Sequence, residues 1–147
     1  MHSYESDIVA WANEQAGLLR AGRFDRLDIA HIAEEIEDVG KSEQRELANC
    51  MAILLSHLLK WRYQPERRGA SWDSTIREQR RALTRRLRKT PSLKSCLDDP
   101  DRWSGAWLGA RSLATKETGI PFDRFPSDCP WTSAEVLDEH WLPDQVV

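Results

Sequence analysis

One apolar stripe restricts what this chain can become more than any other feature. Ile29, Ile32, Ile36, Val39, Glu43, Leu47, Cys50, Leu54, Leu58 and Trp61 follow one another in steps of three and four. Such steps return to one side of a helix, whereas a strand would scatter them over both faces. The unbroken phase predicts one long helix over roughly 28–62, with Gly40 its weak point at a cost of about 1 kcal/mol. Glu43 sits inside the stripe and is expected to be a buried polar residue with a structural role.

The remaining helices are marked by the same spacing and by end signals. Ile8, Trp11, Gln15, Leu18 and Leu19 belong to a first helix that starts near Ser6 and stops at Gly22. Asp25 or Asp28 caps the long helix that follows, and Pro65 and Gly69 punctuate a loop after it. Trp72, Ile76, Leu83 and Leu87 carry a third helix, for which Thr75-x-x-Glu78 reads as a capping box. Thr90-Pro91 and Asp99-Pro100 each read as a cap followed by proline at the first helical position. The second of these opens a helix with Trp103, Trp107, Ala110 and Leu113 on one face, stopped at Gly119. Residues 119–131 are turn-rich and form a surface loop, after which Thr132-x-x-Glu135 caps a short last helix. The fold class is all-α: a single-domain bundle of five to six helices with an irregular carboxyl-terminal segment.

A chain of 147 residues fits one domain and buries enough surface to need neither disulfide nor metal as a staple. Cys50, Cys96 and Cys129 are scattered, which suits reduced thiols. The start, MHSYESDIVAW, has no signal-peptide pattern, and no apolar run approaches the roughly 20 residues that span a bilayer. A cytoplasmic protein with no membrane partner is expected. The net charge of −3 conceals a basic middle. Residues 60–96 hold 12 basic and 3 acidic side chains, between flanks that are each acidic by six charges. The flanks either neutralise the middle within the molecule or leave it to an anionic partner.

Several blocks occur in a fixed order: IAEEIEDVGKSEQREL, HLLKW, SWDSTIREQRRAL, TPSL and FPSDCPWT. In order and spacing they resemble the bacterial domain-of-unknown-function family 29, over nearly the whole chain. The resemblance implies an all-helical fold in a bacterial protein. It carries no assigned activity and no catalytic residues.

Chemical motifs are few. GKS at 40–42 lacks the glycine that a phosphate-binding loop needs at position 35, which is glutamate. His31 with Glu34, Glu35 and Asp38 offers metal-ligand chemistry on adjacent helical turns. Di-iron bundles, however, use Glu-x-x-His in pairs, and here the order is reversed and single. A solvated acidic face is the preferred account, so no metal and no cofactor are assigned. His57 lies at the edge of the stripe among Ile53, Leu55 and Leu59, where a buried, neutral imidazole donating to a carbonyl or carboxylate is expected. Arg80 falls inside the third helix's apolar face and is expected to be buried, with a carbonyl or acidic partner from another segment.

Arg77, Arg81, Arg85 and Arg88 lie on the outward face of that helix. Guanidinium groups one turn apart can clamp carboxylates bidentately or contact successive phosphates. Trp131 and Trp141 are expected to pin the carboxyl-terminal segment. The preferred function is therefore a non-enzymatic helical module that binds another protein or a second copy of itself. The first alternative is a nucleic-acid-associated protein using the arginine face, and the second a metal-dependent helical-bundle enzyme.

Overall fold

A computed structural model describes residues 2–144. Six α-helices joined by short 3-10 turns build it, and no strand occurs among the described residues. The helices are α1 (Ile8–Arg20), α2 (Ile29–Tyr63), α3 (Ala70–Lys89), α4 (Lys94–Asp98), α5 (Pro100–Thr118) and α6 (Ser133–Leu137). The all-α class and the long helix are thus as the spacing predicts. The residues group into two compact units, Met1–Glu43 and Gln44–Val147, and α2 runs through both.

In the first unit, Asp7 caps α1 by accepting from the Ala10 N–H at 3.1 Å, and Gly22 takes the left-handed backbone (φ +73°) after the helix ends. Asp28 ties α1 to the start of α2. Its carboxylate accepts from the Trp11 indole at 2.9 Å, while its backbone N–H donates to Gln15 Oε1 at 2.9 Å. Trp11 and Gln15 are accordingly the residues of α1 that are buried.

The apolar stripe is covered along only part of its length. At 100° per residue, Ile29, Ile36, Leu47, Leu54 and Leu58 fall within about 20° of one line along α2. Leu47, Leu54 and Leu58 are buried, yet Ile29 is 69%, Ile36 67% and Val39 67% exposed. The stripe is thus core only along its carboxyl-terminal part. α1 packs on the side of α2 that carries Asp28 and His31, so in the first unit Ile32 is half-buried while Ile29, Ile36 and Val39 stay exposed. Glu43 is correspondingly half-buried, where burial was expected.

The second unit holds the core. Leu47, Met51, Leu54, Leu55, Leu58 and Leu59 of α2 meet Ile76, Leu83 and Leu87 of α3, and Ala106, Trp107, Ala110 and Ala114 of α5. Each buried leucine contributes on the order of 1.5–3 kcal/mol. The small side chains of α5 permit close approach: a Cβ on Gly109 would stand 3.4 Å from that of Ala52. α5 opens at Asp99, which accepts from the Asp101 N–H, and closes at Gly119 in the left-handed conformation (φ +77°).

Two of the end signals act differently from expectation. α3 begins at Ala70, after Gly69, so Thr75 lies one turn inside it and its hydroxyl donates to the Ser71 carbonyl instead of capping. Thr90 makes no side-chain cap; Pro91 opens a 3-10 turn that passes directly into α4. The Thr132–Glu135 capping box is present as read.

The carboxyl-terminal segment is pinned by aromatic contacts. Trp107 donates its indole N–H to the Pro126 carbonyl at 2.8 Å and meets Trp131 edge-on at 5.5 Å; Trp131 in turn meets Trp141 at 5.6 Å. The cysteines are free thiols, and burial pushes the Cys129 thiol up.

Candidate functional site

The arginine face of α3 forms one wall of the largest recess described. Arg77, Arg81, Arg85 and Arg88, with Ala82 and Thr84, line a groove of about 1060 Å³ whose other wall is Leu137, Glu139 and His140. Helical spacing places the four arginines there, because positions 77, 81, 85 and 88 differ by four, four and three residues. The opposite face of α3, with Ile76, Leu83 and Leu87, is anchored in the core and fixes the orientation.

Arg80 holds the far wall in place. It is 4% exposed and donates from Nε to the Val136 carbonyl at 2.8 Å and from Nη2 to the Trp141 carbonyl at 2.6 Å. Burial pulls its pKa down, and Asp138 and Asp73 oppose that shift. The partners are backbone carbonyls from a remote segment, not carboxylates.

Charge in the groove is unevenly compensated. Arg77 pairs with Asp73 at 3.0 Å on its own helix. Arg81, Arg85 and Arg88 are exposed, and no carboxylate among the described residues lies within salt-bridge distance of them. Glu78 and Glu139 lie in the lining, so the anion preference is concentrated towards the Arg81–Arg88 end. Leu137 and Ala82 supply apolar surface between the charges.

The other sequence-read residues lie elsewhere. His31 donates from Nδ1 to Asp28 at 2.7 Å, faces Glu5 with Nε2 at 3.3 Å, and stacks on the Tyr4 ring at 4.1 Å. The Asp28 hydrogen bond raises the imidazole pKa and lowers that of Asp28. Glu35 accepts from the Tyr4 hydroxyl, which is pushed up to about 12, while Glu34 and Asp38 are exposed. The four residues weighed as metal ligands are therefore not brought together; no group of three or more His, Cys, Asp or Glu positioned for a metal occurs among the described residues. His31 makes its carboxylate contacts with Asp28 and Glu5 instead.

His57 is half-buried and donates from Nδ1 to the Ile53 carbonyl at 3.0 Å. Nε2 is left as an acceptor and faces Lys60 Nζ at 3.4 Å. Burial lowers the His57 pKa and keeps the ring neutral. Lys60 also pairs with Glu117 and lies 5.4 Å from the Trp72 ring centroid. No periodicity singles out Lys60, whose burial arises from packing between Trp72 of α3 and Glu117 of α5. Leu137, Glu139 and His140 were also missed, since no periodicity links residues near 140 to a helix ending at 89.

A second recess, of about 310 Å³ and mainly apolar, lies between α2, α4 and α5, with Arg102 and Gln44 hydrogen-bonded at 3.1 Å on its lining. Leu47 of the stripe and Trp103 of the α5 face are among its lining residues.

Comparison with known families matches residues 3–142 to the model described as "Domain of unknown function DUF29". The chain belongs to this family. No curated protein and no solved structure matches it. Membership assigns no activity to the DUF29 chain. None of its described helices is long and apolar enough to cross a membrane.

Proposed function

We propose that this chain is a non-enzymatic helical interaction module and that the arginine groove of α3 is its contact surface for an acidic segment of a protein. The observation that carries this is the set of three exposed guanidinium groups, Arg81, Arg85 and Arg88, without carboxylates of their own, beside apolar Leu137. Guanidinium groups clamp carboxylates bidentately, and a helical or extended acidic segment presents them at matching intervals of one turn. No Phe, Tyr or Trp ring lines the groove, and the single imidazole of His140 offers little stacking surface, which favours a protein over a single-stranded nucleic acid.

A fluorescein-labelled acidic helical peptide, with glutamates one turn apart and leucines between, tests the assignment against a single-stranded RNA of equal charge. Anisotropy should rise with the peptide on the native protein, and the rise should disappear in R81E/R85E. Preference for RNA, with a steep loss on adding salt, would move the chain to the nucleic-acid reading. Binding that is indifferent to R81E/R85E would remove the groove from consideration.

A further inference from the structure

The chain carries, on its own α2, a segment with the chemistry that the arginine groove fits. The first unit has 10 acidic and 4 basic side chains, and α3 has 7 basic and 2 acidic. Within the first unit the carboxylates concentrate at positions 34–38 of α2. Glu35 is occupied by the Tyr4 hydroxyl. Glu34, Glu37 and Asp38 are exposed, and no lysine or arginine among the described residues forms a salt bridge with them. At 100° per residue Glu34, Glu37 and Asp38 share an arc of about 100° on α2, and the exposed Ile36 lies outside it.

Three carboxylates of α2 without a basic partner thus match three guanidiniums of α3 without an acidic one. Glu34 and Asp38 are one helical turn apart, as are Arg81 and Arg85.

We propose that the chain self-associates, the acidic turns at Glu34–Asp38 of one copy occupying the Arg81–Arg85–Arg88 end of the groove of another. This rests on the groove being a site for acidic protein segments, and it names the segment. Because the two surfaces differ, contact is heterologous, closing into a ring or a reciprocal dimer, or continuing as a chain.

Light scattering coupled to size exclusion tests this on the full chain at low and high salt. The native protein should exceed monomer mass in 50 mM salt and approach it in 500 mM salt. R81E/R85E and E34K/E37K/D38K, all at exposed positions, should each be monomeric in 50 mM salt, with unchanged circular dichroism. Mixed one to one, they should associate again, since each supplies the surface that complements the other. A native protein that is monomeric at every salt overturns the proposal, as does association that survives both reversals or a mixture that stays monomeric. The labelled acidic peptide reports separately on the groove. A monomer that still binds the peptide through Arg81 and Arg85 would sink self-association alone, and loss of both results would sink the groove with it.

Discussion

The Arg80 guanidinium donates to the Val136 carbonyl 2.8 Å away, joining the middle of α3 to a helix more than fifty residues further along the chain. A second bond to Trp141 fixes the segment beyond it. A permanently charged side chain in a buried position is tolerated because two oriented carbonyls replace its water.

Removal of that cation should loosen the carboxyl-terminal segment. Arg80→Ala leaves the two carbonyls without their donor and opens a void, and should cost about 2–4 kcal/mol. The melting temperature should fall by several degrees, and Trp131 and Trp141 emission should shift to the red before global unfolding. An unchanged melting temperature would show that the two bonds carry no net stability.

Lys60 and Glu117 should respond unequally to substitution. Lys60 is nearly inaccessible, whereas the Glu117 side chain is 47% exposed. Glu117→Gln leaves a buried ammonium without a counter-charge and should cost about 2–3 kcal/mol. Lys60→Met keeps the volume, returns Glu117 to water, and should cost less than about 1 kcal/mol. Equal costs in chemical denaturation would contradict this asymmetry.

Two histidines should titrate in opposite directions from the ordinary value of about 6.5. His31 is raised by its hydrogen bond to Asp28, and His57 is lowered by burial. The His31 contribution is complete below about pH 6.5 and is lost as pH rises through its folded value. Asp28, lowered by the same bond, contributes above about pH 4 and loses that contribution as pH falls through its folded value. The pair therefore supports the first unit best between about pH 4 and 6.5. His57 behaves oppositely: its contribution is complete above about pH 6.5 and is lost as pH falls towards its folded value. Proton NMR of the ring C2–H signals, assigned with His31→Gln and His57→Gln, measures both. The same direction of shift for the two rings would refute the assignment.

Gly40 occupies an exposed helical position where an added Cβ meets nothing within 4 Å. Gly40→Ala should therefore stabilise the middle of α2 by roughly 0.5–1 kcal/mol, through the reduced entropy of the unfolded chain. Amide exchange at residues 36–44 should slow. Faster exchange there would show that the glycine meets a requirement of the folded backbone.

What the sequence determined by itself is local in origin. The helical class, the course of α2, the caps at Asp99 and Thr132 and the grouping of Arg77, Arg81, Arg85 and Arg88 all follow from helical geometry acting over a few residues. The tertiary structure decided whatever depends on distant partners. It set which half of a continuous stripe is covered, turned His31 towards Asp28, buried Lys60, and brought Leu137 and His140 to the arginines. Helical phase identifies the side of a helix that is apolar. Only the placement of the other helices determines whether that side meets protein or water.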